Sequence, residues 1–332
     1  MFVGLIAFLA IAWAAYWYAA YRMADGFIAE SATLQPSESM SLGCVEHQFG
    51  GFPLHITIDC AGARSVAADG AVADLGALSA RAPLYNPGWV EADITGPLLY
   101  EGVNHTINAD WSGGQFDFLA GFGGVSRATA AFGEVTFTVA DAIDDTVWSA
   151  SANAWGTEIR PAAEDGAIRL TLSAEELVVA IGGEAYPSVS GTASMTLTGF
   201  GDRLDRAPDR LIGDWLAAGG NFHVDHMDLS SGDVVADVTG PMRLDIDGTL
   251  SGNLVVQYSG AHDLPTLVAA IFPWYADDAD AIAEAVRLMS RPVEIRGEEA
   301  YEARFIIEAG NIRIGLIPLV TIPSVGPLDH YL

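Results

Sequence analysis

The sequence predicts a mainly β fold with a few α-helices: an N-terminal transmembrane helix followed by a large curved antiparallel sheet. Three observations carry this prediction. After Gly51 most of the chain consists of short alternating apolar and polar runs broken by Gly, Asp-Gly and Pro, which is how antiparallel strands read. An uncharged apolar stretch long enough to cross a bilayer precedes them. Only two segments downstream change to a helical period.

Residues 2–21, FVGLIAFLAIAWAAYWYAAY, hold no charge, and Trp13, Tyr16, Trp17, Tyr18 and Tyr21 gather at one end. An aromatic belt sits in this way at the level of the lipid headgroups. The rival reading is a cleaved signal peptide, which calls for a cationic start, a shorter apolar run and a small-residue cleavage site. No Lys or Arg precedes Arg22, and bulky aromatics occupy the place of cleavage, so residues 1–22 are expected to be an uncleaved anchor in the bacterial inner membrane. Arg22 alone gives the reverse topology under the positive-inside rule, so the orientation rests on the cysteines.

Residues 23–43, polar and containing Pro36, read as a connector, and residues 44–332 as one β-rich domain. The chain's two cysteines, Cys44 and Cys60, open it. An even number close together behind an export-type N-terminus reads as a disulfide in an oxidising compartment, here the periplasm. Closing a loop of this size stabilises by roughly 3 kcal/mol in the chain-entropy model.

Period-two alternation predicts strands over 107–111, 135–139, 168–172, 189–198 and 244–259, the last two each with one apolar and one wet face. Residues 203–218 place Leu204, Leu211, Ile212, Trp215 and Leu216 on one side, with Gly219-Gly220 as a stop. Residues 263–290 form a longer helical segment that Pro273 splits. The C-terminal IEAGNIRIGLIPLVTIP returns to strand and then to Pro-broken apolar coil. Ala92-Asp93-Ile94-Thr95-Gly96-Pro97-Leu98 recurs as Ala236-Asp237-Val238-Thr239-Gly240-Pro241-Met242. If this echo is a true repeat, the domain divides into halves 44–200 and 201–332.

Composition excludes more than it assigns. The 332 residues carry 43 acids against 15 cations, a net charge of −28, and every cation is arginine. A nucleic-acid partner needs clustered cations and is not expected. At 51% hydrophobic and 17% charged, the chain has ample material for a core. No G-x-S-x-G elbow, H-E-x-x-H, P-loop or dinucleotide-binding glycine motif appears, so no enzyme, cofactor, catalytic residue or metal site is expected. Gly113-Gly114 and the Gly121–Gly124 cluster read as turns. His223, Asp225, His226 and Asp228 form the densest polar cluster; in a strand they split between two faces and need a third element to converge on an ion. Asp245 and Asp247 share a face and are candidates for no more than a solvated strand surface.

The apolar faces are the more informative feature. Two short helical segments cover only part of them, which leaves a sandwich, a closed barrel, or an open curved sheet with an apolar groove. The expected groove is lined by Met195, Leu197, Leu244, Ile246, Leu250, Leu254 and Val256. Small residues and Met fill a tight core poorly, and Gly lets strands bend, which favours the groove with a lipid as its occupant.

The aromatic N-terminal segment, Gly43-Cys44, Gly50-Gly51-Phe52-Pro53-Leu54, Cys60 and the terminal Ala309-Gly310-Asn311-Ile312-Arg313-Ile314-Gly315-Leu316-Ile317-Pro318-Leu319 resemble the DUF2125-like uncharacterised proteins of alphaproteobacterial envelopes. That resemblance implies an envelope location and no catalytic residue. Asp247-Gly248-Thr249-Leu250-Ser251-Gly252-Asn253-Leu254 is similar to the strand repeats of AsmA-like envelope proteins, which implies lipid handling by fold analogy. The function expected from all of this is binding or sheltering an apolar ligand, or supporting envelope assembly through a protein partner. A structural interaction module without ligand and an unrecognised hydrolase are the alternatives.

Overall fold

A computed structural model describes residues 12–19, 21–22, 41–66, 70–86, 88–102, 105–121, 124–141, 147–204, 208–295 and 298–324. Of the described residues 63% lie in strands, in antiparallel pairings, and four helices accompany them, so the mainly β class holds. The first helix, α1, covers residues 12–19. Among the described residues no helix is long and apolar enough to cross a membrane, so the predicted transmembrane helix is not found there. Residues 1–11 and 20 of that span, and residues 23–40 of the connector, lie outside the described residues. The chain divides into two compact units, one of residues 1–123 and 128–149, the other of 124–127 and 150–332.

The first unit is a meander. β1 (Ser41–Gly50) pairs with β2 (His55–Val66), and the Cys44–Cys60 disulfide ties them with Cα atoms 5.6 Å apart. Cys60 is buried. Replacing both cysteines by alanine is expected to destabilise this unit by about 3 kcal/mol; calorimetric melting checks it, and an unchanged transition would contradict it. β3 (Val72–Leu75) and β4 (Leu78–Pro83) follow β2 in one continuous register, so they are one strand in two pieces. β5 (Trp89–Ile94) pairs with β4 and β6 (Leu98–Glu101) with β3. Both then pair with β7 (His105–Gly121). β8 (Gly124–Asp141) brings Phe132 edge-on to Trp111 of β7, ring centroids 5.3 Å apart.

In the second unit β9 (Val147–Pro161), β10 (Ile168–Ile181), β12 (Val189–Leu197), β13 (Asn221–Ser231), β14 (Val234–Leu244), β15 (Leu250–Ser259) and β17 (Glu298–Glu308) pair in sequence. The short β11 (Glu184–Ala185) pairs with the end of β10, β16 (Arg291–Ile295) pairs with β17, and β18 (Asn311–Ile314) and β19 (Ile317–Thr321) continue beyond it. Irregular registers interrupt β10, β12 and β13, and bulges of this kind bend and twist the strands that carry them.

The strand predicted over 244–259 begins only at Leu250, and Leu244 is the last residue of β14. Leu244 pairs with Leu250, and the intervening residues form a turn in which Gly248 has φ +78°. Asp-Gly is a strong hairpin signal, and the regular alternation through it concealed the reversal. Gly113-Gly114 is also not a turn but lies within β7; a Cβ on Gly114 would come within 2.5 Å of the Ile94 oxygen. The C-terminal apolar segment stays in strand through Pro318 as β19.

The two copies of the echo occupy comparable places. In the first, Thr95-Gly96-Pro97 breaks the strand between β5 and β6 along β7. In the second, Thr239-Gly240-Pro241 passes through β14 opposite β15 without a break. In both the glycine lies close against the next strand: a Cβ on Gly96 would lie 2.4 Å from Asp110 Oδ1 and 3.1 Å from the Trp111 nitrogen, and one on Gly240 2.1 Å from the Asn253 oxygen.

Helices cover one face of this second sheet. α2 (Pro208–Ala217) buries Trp215 and Leu216 against Ile168 and Leu197. α3 (Leu264–Ile271), a 3₁₀ segment Pro273–Asp278, and α4 (Ala279–Met289) follow one another between β15 and β16, with the break at the predicted Pro273. Both α3 and α4 bury an apolar stripe, Leu264, Leu267 and Val268 on one and Ile282, Ala283 and Val286 on the other. Ala283 is fully buried and Ala236 and Ala303 on the sheet nearly so, and these small residues let α4 lie close to the strands.

On β17, Glu302 is 8% exposed and accepts from Gln257 at 3.3 Å, Arg291 at 2.5 Å and Arg304 at 3.3 Å. The Gln257 hydrogen bond, and then the two arginines, hold its carboxyl below the ordinary glutamate value of 4.5. A lowered folded-state pKa gives stability that is complete above pH 4.5 and lost as pH falls through the folded value. Glu302→Gln should therefore flatten the acid side of the stability-versus-pH curve, as urea unfolding at stepped pH would measure. Curves that stay parallel would remove Glu302 from the account.

Candidate functional site

The inward face of β13, β14, β15 and β17 does not meet α3 and α4 everywhere. Between them lies a cavity of about 210 Å³, and all nineteen residues lining it are apolar or aromatic. Met227, Ala236, Val238, Leu254, Val256 and Phe305 come from the sheet, Leu267, Val268 and Ile271 from α3, and Ile282 and Val286 from α4. The strands deliver alternate residues to it by their period of two: Ala236 and Val238 on β14 point inward while Asp237 points out.

Only one lining side chain carries a polar group, and that group is engaged. The Tyr258 hydroxyl donates to Ser290 Oγ at 2.9 Å, and Ser290 Oγ donates to the Val286 carbonyl at 2.7 Å. Burial pushes the Tyr258 phenol above its ordinary pKa, with the Ser290 hydrogen bond acting against it. The cavity therefore offers dispersion and desolvation but no hydrogen bond. Dry apolar cavities of about 150 Å³ take up benzene-sized molecules, whereas sites for drug-sized ligands begin near 300 Å³. A volume of 210 Å³ fits a length of one acyl chain and excludes a whole two-chain lipid. Ile271 is 36% exposed, and with the half-buried Phe272 and Leu319 it marks the rim.

Of the residues expected to line a groove, Leu254 and Val256 reach the cavity. Leu250 packs against the same cluster without lining it. Leu197 is buried with Trp215 in the separate core under α2, where Met195 and Leu244 pack against it. Ile246 is 39% exposed in the β14–β15 turn. The sequence reading missed the contributions of β13 and β14 and the whole helical roof. The even positions of β14 (Val234, Ala236, Val238) and the apolar stripes of α3 and α4 held the signal.

The polar clusters lie outside this cavity. His223 and Asp225 do share one face of β13 and His226 and Asp228 the other. The third element is Asp237 on β14, directly opposite Asp228. His226 Nε2 lies 2.6 Å from Asp228 and Nδ1 2.5 Å from Asp237, so its two nitrogens face different carboxylates. A second group with metal-ligand chemistry, Asp233, His262 and Asp263, is largely exposed, with Nε2 3.6 and 3.7 Å from the two carboxylates. Asp245 pairs with Arg243 at 3.0 Å. Asp247 accepts from the Thr249 hydroxyl and amide, which lowers its pKa; each aspartate thus has its own local partner.

A family model described as an uncharacterized protein conserved in bacteria (DUF2125) matches residues 17–323. No curated protein and no solved structure matches the chain, and the AsmA-like similarity drawn from residues 247–254 is not shown. The match bears out the resemblance drawn from the two cysteines, the Gly-Phe-Pro-Leu step and the C-terminal strands: the chain belongs to the DUF2125 family.

Proposed function

We propose that this DUF2125 protein shelters the acyl portion of a lipid in the cavity beneath α3 and α4, held at the bacterial inner membrane by residues 2–21 with its β units in the periplasm. The observation that carries this reading is a cavity of about 210 Å³ whose nineteen lining residues present no free polar group. Each buried methylene is stabilised by about 0.8 kcal/mol on leaving water, which is the driving force this lining supplies. The absence of any lysine or arginine from the lining leaves an anionic headgroup no partner inside, so the headgroup stays at the rim in water. The Cys44–Cys60 bond accords with an oxidising compartment, and the uncharged residues 2–21 with an anchor. Titration of the purified full chain with a fluorescent fatty acid tests the binding. Saturable binding of one molecule per chain, displaced by unlabelled fatty acid, is expected. Uptake that only grows linearly with probe would contradict it.

A further inference from the structure

The first unit holds α1 by its aromatic face. Trp13 Nε1 donates to the Pro53 carbonyl at 2.6 Å and Trp17 Nε1 to the His55 carbonyl at 2.8 Å. The Tyr16 hydroxyl donates to the Leu84 carbonyl at 3.4 Å. Phe52 meets the Trp17 ring edge-on with centroids 5.5 Å apart. The indoles that an interfacial belt would turn to lipid headgroups are thus committed to the β1–β2 loop, and the loop and the neighbouring β4–β5 turn bring apolar groups of their own. Phe52 is 60%, Leu54 52% and Tyr85 67% exposed, large side chains that no described residue covers beside this helix.

We propose that Phe52, Leu54 and Tyr85 form a platform that lies in the headgroup region of the bilayer and sets the first unit against the membrane surface. This rests on the reading of residues 2–21 as the anchor. Two features single out the bilayer as the occupant. Residues 2–11, which run into α1, are uncharged and apolar, and the first unit holds the segment that follows them from Trp13, bonded to Pro53, to Tyr21, edge-on to Phe49. In a chain with 43 acids, residues 47–58 and 82–90, which build the platform, contain no Asp or Glu. Acids there would be repelled by anionic headgroups and costly to dehydrate, whereas amphipathic aromatics suit that layer.

The test uses the full chain in vesicles of phosphatidylcholine and phosphatidylglycerol, with an environment-sensitive fluorophore at a single introduced cysteine and brominated phosphatidylcholine as quencher. Leu54→Cys and Tyr85→Cys report the platform, Phe8→Cys the anchor, and Arg64→Cys a site ten residues beyond Leu54 along β2, about 33 Å away. Brominated lipid should quench positions 54 and 85 by about twofold or more and leave position 64 unaffected. Quenching at 8 but at neither 54 nor 85 overturns the platform and leaves the anchor standing. No quenching at 8 overturns the anchor reading and the platform with it. Equal quenching at 64 and 54 overturns a contact confined to this surface. Should Leu54→Cys misfold, Tyr85→Cys decides alone.

Discussion

Leu254→Trp is expected to weaken fatty-acid binding at least about tenfold, a loss of about 1.4 kcal/mol, while shifting the melting temperature little. Leu254 lies on β15 opposite Phe305 and faces the cavity under α3 and α4. An indole there has the cavity to enter and occupies the space an acyl chain needs. The same enlargement in a filled core forces off-rotamer side chains and costs about 1–3 kcal/mol. Binding and melting, measured on one preparation, therefore separate the two situations. Lost binding with an unchanged melt supports the cavity, and a large drop in the melt with unchanged binding contradicts it.

Trp215→Ala is expected to destabilise the second unit by about 3–5 kcal/mol. Trp215 is 6% exposed, donates from Nε1 to the Thr198 carbonyl at 3.0 Å, and meets Phe200 edge-on at 5.6 Å. It joins α2 to Ile168 and Leu197 of the sheet, so its truncation leaves a void and an unpaired carbonyl together. Trp215→Phe keeps most of the packing and loses the donor, and should cost about 1–3 kcal/mol, the price of the orphaned acceptor. Chemical denaturation of both variants checks the order. A loss below that of the phenylalanine variant on going to alanine would mean that α2 is not anchored through this residue.

Much of this architecture was legible in the residues. The alternation in 189–198 survives as β12, Pro273 does separate α3 from the second helix, and the two cysteines do bond. What misled was pattern without reversal: the period of two runs unbroken through Asp247-Gly248, because a tight hairpin turn can fall on an even count and leave the alternation in phase. The cavity was half legible for a related reason. Period two tells which residues of a strand share a face, as it did for Leu254 and Val256. It does not tell whether a helix comes to lie on that face, and α3 and α4 were needed to separate these two from Met195, Leu197 and Leu244, which α2 covers instead. Ile246 obeyed the alternation and was exposed all the same, since it belongs to the turn. For His226 and Asp228 the same-strand reasoning held, and the partner it required, Asp237, became visible only with the register of β13 against β14.

Native mass spectrometry of the full chain, purified in detergent and released from it in the spectrometer, tests the central claim most directly. The account predicts one retained adduct per chain in the mass range of a single-chain lipid, and its loss in Leu254→Trp. Bare protein in both, or the same adduct retained equally by the parent and by Leu254→Trp, would contradict it.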